Sequence, residues 1–203
     1  MNDEMDPAQL ISKAKSGEQA SLGPLLEMYR AYLRLLARIE IGQRLQGKVD
    51  ASDLVQETLL DAHRNFDQFR GEDEPQFAGW LRQILAAKAA LLVRHYFGTK
   101  SRDVRLEQDL QGNLNHSSNM LAGALAASLS SPSQRAVRRE QGVLLANALE
   151  RLPPDYREVL VLRHLQELSF PLVAQRMNRS LDSVEKLWVR ALARLRVVFG
   201  EDR

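Results

Sequence analysis

Apolar residues along most of this chain recur at three- and four-residue steps, the spacing of one helix face, and no alternating strand pattern competes with them. Near the C-terminal end Val184, Leu187, Trp188, Ala191, Leu192 and Leu195 form such a stripe and predict an amphipathic helix with that face in a core. Its other side carries Ser183, Lys186, Arg190 and Arg194, with Asp182 in the first turn and Arg179 just before Ser180, which is placed to cap. Upstream, Val173, Ala174 and Met177 supply the inner face of a shorter helix, where Ser169 can cap and Pro171 fits an early position. Asn-Arg-Ser at 178–180 joins the two as a tight helix-turn-helix. Such a unit enters the major groove by the N-terminal part of its second helix, first-turn polar residues meeting base edges and flanking Arg and Lys meeting phosphates. A surface helix hairpin with solvated charges is the alternative.

Residues 8–97 predict successive helices, broken at Gly17, at Gly23 and Pro24, between Gly42 and Gly47, and between Gly71 and Pro75. After a cap at Ser52, Val55, Leu59, Ala62, Phe66 and Phe69 share one face and belong to a core. The opposite face shows Asp53, Gln56, Glu57, Leu60, Asp61 and Arg64. An exposed leucine among charges points to a protein-binding surface rather than a merely solvated face. The next helix carries Phe77, Trp80, Tyr96 and Phe97 beside Arg82, Lys88 and Arg94. Aromatic rings stack on unpaired bases while cations follow the backbone, so this helix suits single-stranded nucleic acid. Phe77 and Trp80 can equally be core anchors, the role favoured for Trp80.

From about residue 111 to 133 the composition turns to Ser, Asn, Gly and Ala, which predicts a mobile linker open to proteolysis. The expected organisation is all-α: a helical domain over 1–107, a flexible linker over 108–133 and a helix-turn-helix domain over 134–203. The last domain opens with Leu144, Leu145, Ala148, Leu149 and Leu152, a stop at Pro153 and Pro154, and a helix over 156–165.

The net charge of +2 decides little, but its distribution is uneven. Residues 49–75 hold eight acids against Arg64 and Arg70, whereas 76–107 and 175–199 each hold six Lys or Arg against two acids. No apolar run reaches membrane-span length and the acidic opening lacks a signal-peptide pattern, so a cytoplasmic protein without membrane insertion is expected. The absence of cysteine excludes disulfides and thiolate-bound zinc. His63, His95, His116 and His164 are scattered without paired-ligand spacing, and GTKS at 98–101 lacks the glycines and residue order of a phosphate loop. No enzyme, metal or cofactor is expected.

Taken in order, these segments resemble a bacterial RNA polymerase sigma factor of the extracytoplasmic-function class of the sigma-70 family. DLVQETLLDAHRNFDQFRG at 53–71 resembles the family's polymerase-clamp-binding helix, FAGWLRQIL at 77–85 its promoter-melting helix, and residues 149–196 its region four. The stretch from Ser21 to Asp53 also resembles planctomycete-type members. The resemblance implies a factor without catalysis that binds core RNA polymerase, through its clamp helices and flap, and promoter DNA, with an anti-sigma factor as a further partner. It implies that Asp53, Gln56, Glu57, Leu60 and Arg64 meet the clamp helices. The loop 70–76 and the following helix, with Arg70, Phe77, Trp80, Arg82, Lys88 and Arg94, would hold a flipped base and the opened downstream strand. Arg179, Ser180, Asp182, Ser183, Lys186 and Arg190 would read the upstream element as duplex. Where the family often shows Asn soon after the tryptophan, this chain has Lys88, which suits a phosphate better than a base edge. A stand-alone helix-turn-helix regulator would account for the C-terminal half alone, and a purely structural helical adaptor for neither DNA-facing surface.

Overall fold

The computed structural model describes residues 6–40, 50–97, 104–128 and 137–201. Among them there is no strand; ten α-helices follow one another: α1 Pro7–Lys15, α2 Leu22–Met28, α3 Arg30–Glu40, α4 Ala51–Arg64, α5 Glu74–Phe97, α6 Val104–Ser128, α7 Val137–Glu150, α8 Pro154–Leu160, α9 Phe170–Met177 and α10 Leu181–Glu201. The chain divides into two compact units, Met1–Ser118 and Asn119–Arg203, the boundary falling inside α6.

In the first unit α4 packs against α3 and α5, because each presents a regular apolar face. Val55, Leu59, Ala62 and Phe69 are buried as their spacing predicts, and Phe66 is half-buried. From α5 come Phe77, Ala78, Leu81, Leu85 and Ala89, all buried. Phe77 is the hub of an aromatic cluster, with ring centroids 5.2 Å from Tyr29, 5.3 Å from Phe69 and 5.9 Å from Trp80. The Tyr29 and Phe69 contacts are edge-on, an arrangement that contributes about 0.5–1.5 kcal/mol per pair beyond area burial.

Helix starts differ from expectation in three places. The cap of α4 is Asp50, not Ser52. Its carboxylate accepts the Ser52 backbone N–H at 2.8 Å, and that bond holds the Asp50 pKa below the usual carboxylate range. Gly23 and Pro24 lie in the first turn of α2 and are no break, since an early proline lacks only an amide that has no intrahelical partner. Ser169 occupies the cap position of α9 with extended backbone, but its side chain makes no capping bond. The break expected between Gly42 and Gly47 lies outside the described residues. Gly17 does interrupt the chain, at φ 97°.

The largest difference concerns residues 108–128, expected to be linker and found within α6. Leu110, Leu114 and Ser117 are buried at four- and three-residue steps, a helical stripe that the surrounding Ser, Asn and Gly obscure. Arg82 of α5 ties this stripe down: its Nε donates to Asn115 Oδ1 at 2.7 Å and its Nη1 to the Tyr32 hydroxyl at 2.7 Å.

In the second unit α10 packs on α7, α8 and α9. Val184, Ala191 and Val198 are buried, while Leu187, Trp188, Leu192 and Leu195 are only half-buried because the stripe is wider than the surface covering it. Arg157 closes the end of α7: Nε donates to the Leu149 carbonyl at 3.0 Å and Nη2 to the Glu150 carbonyl at 2.9 Å, satisfying acceptors that the proline stop leaves open.

The turn between α4 and α5 depends on Gly71. A Cβ there would lie 2.5 Å from the Phe69 ring and 2.7 Å from Gln76 Cβ. Gly71→Ala is therefore expected to destabilise the first unit by about 1–3 kcal/mol through overpacking, read from denaturant unfolding, with Gly23→Ala as the uncrowded control.

Candidate nucleic-acid and protein interfaces

The surface of α4 forms first from its periodicity. With Val55, Leu59 and Ala62 turned inward, Asp53, Gln56, Glu57, Leu60 and Arg64 are all exposed, and Leu60 retains 46% of its surface. Gln56 Oε1 accepts from Arg30 Nη1 at 2.8 Å, while Arg30 Nε bonds the Glu27 carboxylate at 2.8 Å, so α3 joins this face. Sequence reasoning missed Arg30 because its bond to α4 spans a long stretch of chain.

On α5 the expected nucleic-acid residues separate. Phe77 is fully buried and serves as core, so it cannot stack on a base in this fold. Arg82 faces α3 and α6, as described. Lys88 pairs with Asp61 of α4 at 3.2 Å and is half-buried, a bridge between helices rather than an open phosphate ligand. Phe77 is thereby corrected to a core residue, and Arg82 and Lys88 are engaged in the free protein, because the core of α5 occupies a wide arc and cations beside that arc turn to protein partners. What remains open is the stripe Gln76, Trp80, Gln83, Ala87, Leu91 and Arg94, at four-, three-, four-, four- and three-residue steps. Gln76, Gln83 and Leu91 are exposed, the other three partly so, and Arg94 Nη2 lies 3.9 Å from Glu107. Gln76 and Gln83 were not singled out from sequence, although the complement of the buried positions 77, 81, 85 and 89 marks them.

Beside the α4–α5 turn lies an open cleft of about 390 Å³. Phe66 and Phe69 line it, and Lys15, His63, Arg64 and Arg70 bring basic side chains to it, against Asp67. Lys15 Nζ donates to the Gly71 carbonyl at 3.0 Å and ties α1 to the turn.

The helix-turn-helix has the expected construction. Asn178 sits in the left-handed region at φ 52°, and the Arg179 N–H bonds the Ala174 carbonyl at 2.9 Å, which ends α9 sharply. Ser180 Oγ accepts the Ser183 N–H at 3.3 Å and starts α10. Arg179, Asp182, Lys186 and Arg190 are exposed and Ser183 partly so. Two of the cations have intramolecular partners: Lys186 Nζ lies 2.7 Å from Asp182, and Arg179 pairs with Asp155 at the start of α8. Exposed pairs of this kind are worth about 0–1 kcal/mol, so a phosphate can displace them.

Behind α10, the Trp188 indole N–H donates to His164 Nε2 at 2.9 Å, and Phe170 packs edge-on against Trp188 at 5.4 Å, with Arg163 4.9 Å over the Phe170 ring. His164 stands in a π-helical turn, Val161–Leu165, that turns it toward α10. Among the described residues no group of His, Cys, Asp or Glu could hold a metal, and no helix is long and apolar enough to cross a membrane.

Comparison with known proteins accounts for both units. Residues 28–95 match the Sigma-70 region 2 family and residues 143–195 the Sigma-70, region 4 family. The RNA polymerase sigma factor CnrH of Cupriavidus metallidurans is 31% identical over 202 residues, covering 100% of this chain and 98% of that protein. The ECF RNA polymerase sigma-E factor of Escherichia coli K12 is 26% identical, covering 94% and 93%. A solved chain of the RsbN–BldN complex is 22% identical, covers 93% of this chain and 98% of its own length, and has a TM-score of 0.32. The chain belongs to the sigma-70 family of RNA polymerase sigma factors, in the extracytoplasmic-function class. It is a transcription initiation factor whose partners are core RNA polymerase and promoter DNA. Sigma factors as a family are not enzymes.

The Trp188 bond requires His164 Nε2 to be unprotonated, and burial first, then the charge of Arg163, lower the His164 pKa from its ordinary 6.5. The unfolded chain therefore takes up this proton at higher pH than the folded one. The stability contribution is present above about pH 6.5 and is lost as pH falls toward the folded pKa. His164→Gln keeps an acceptor and removes the titration. Between pH 7.5 and 5.5 the native chain should lose more Tm than the variant, measured by thermal unfolding in parallel.

Proposed function

We propose that the two units divide promoter recognition between them. The α4 face, Asp53, Gln56, Glu57, Leu60 and Arg64 with Arg30 beside it, meets the polymerase clamp helices. The cleft beside the α4–α5 turn takes a flipped base of the downstream element, with the half-buried Phe66 as stacking wall and Arg70 at the phosphates. The stripe from Gln76 to Arg94, with Trp80 among it, follows the opened strand. In the second unit Ser180, Asp182 and Ser183 meet base edges of the upstream duplex, and Arg179, Lys186 and Arg190 meet phosphates. Exposed Leu172, Val189 and Val197 supply apolar surface for the polymerase flap or an anti-sigma factor. The protein works in the cytoplasm and contributes no catalysis of its own.

The observation that carries the polymerase assignment is Leu60, a large apolar side chain left open in the middle of a charged, otherwise regular helix face. Reversing two charges beside it, Asp53→Lys with Glu57→Lys, should weaken the complex with core polymerase on the order of ten-fold while leaving helicity intact. Unchanged co-purification with polymerase would remove the assignment.

The upstream assignment has its own test, because Asp182 and Lys186 are paired in the free protein. Lys186→Ala and Arg190→Ala should weaken binding to all duplex sequences alike, and each should flatten the salt dependence by roughly one unit, the share of a single phosphate. Asp182→Ala and Ser183→Ala should instead change the preferred base pair, at up to about 1–3 kcal/mol and less for the short serine. Profiling of the four variants on a promoter library decides the matter. If Arg190→Ala alone shifts the preferred sequence, α10 docks in a different register.

A further inference from the structure

We propose that residues 104–118, the first half of α6, are a strap that docks on the first unit in the free protein and is released when the chain engages core polymerase.

The seam under the strap combines side-chain hydrogen bonds with two fully buried leucines. Arg82 donates to Asn115 and Tyr32 at 2.7 Å, the Tyr32 hydroxyl donates to Ser118 Oγ at 2.8 Å, and the Ser117 hydroxyl donates to Glu40. Leu110 and Leu114 are the strap's fully buried apolar side chains. The seam's hydrogen bonds, unlike the two leucine contacts, can be replaced by water or another partner at small net cost, as at a dissociable interface.

The strap is also a weak helix by itself. Gly112, Asn113, Asn115, Ser117 and Ser118 all have low helix propensity, so its helicity depends on docking. Gly112 is the telling residue. A Cβ there would meet nothing within 4 Å, so no neighbour demands glycine. Relative to alanine, its effect is to make the helix about five-fold easier to unwind.

Helix α3 links the strap to the polymerase-facing surface. Tyr32 and Glu40 hold the strap, while Arg30 on the same helix bonds Gln56. A partner that takes Gln56 disturbs Arg30 and thus the helix on which the strap rests. Arg82, expected from sequence to meet DNA, is in this scheme a positioning residue. It stands off the Gln76–Trp80–Gln83 stripe and keeps the strap down.

The coupling rests on the proposed α4 assignment, and hydrogen exchange on the full chain, free and bound to core polymerase, tests the two separately. Exchange at 53–64 should slow in the complex. No slowing there would remove the α4 assignment without touching the strap. Exchange at 104–118 should be slow in the free protein and at least ten-fold faster in the complex. Gly112→Ala should slow it about five-fold in the free protein, weaken core binding by up to the same factor and lower promoter-dependent transcription. Arg82→Gln should speed it in the free protein. Equal protection of 104–118 in the free and bound states overturns the strap, as does a Gly112→Ala protein with raised protection and unaltered transcription. Because Gly112→Ala stabilises the helix, the test does not depend on Arg82→Gln folding.

Discussion

Packing around Phe77 is the constraint on which the first unit depends. Its ring meets Tyr29 after α2, Phe69 in the turn after α4 and Trp80 one turn along its own helix. One buried side chain thereby sets the height of α5 against α4 and the path of the turn between them. That turn has little freedom, since Gly71 runs so close to the Phe69 ring that no side chain fits. The cleft beside it is a consequence of the same packing, with Phe66 and Phe69 lining it and basic side chains around it.

Most of the cations near these surfaces are already engaged, and this changes how the electrostatics should be understood. Arg82, Lys88 and Arg157 hold helices together through carbonyls, hydroxyls and carboxylates. Arg70, Arg190 and Lys186 are exposed, and the Lys186 pair with Asp182 is weak enough to be exchanged for phosphate. Counting basic residues along a segment therefore overstates the number whose head groups stand open in the free protein.

The second unit solves a different problem, which is to hold a recognition helix rigid from behind while leaving its front open. Asn178 and Ser180 fix the entry angle of α10 by local geometry alone. His164, Trp188 and Phe170 then brace its middle, through a bond that exists only with His164 neutral.

Periodicity alone determined that the protein is helical, which faces of α4 and α10 are inward, and that Leu60 and the residues around Asp182 stand open, because these follow from 3.6 residues per turn. The Asn-Arg-Ser turn was legible for the same local reason. The partners of Arg82, Lys88 and Arg157 were not, since each depends on which groups of other segments arrive beside a guanidinium or ammonium. Nor was α6, whose few buried positions are set among residues that favour coil, so its helix is decided by the surface it docks on. The open stripe of α5 emerged only once both sides of that helix were covered, because a helix buried over a wide arc shows its free face by what the neighbouring helices fail to reach.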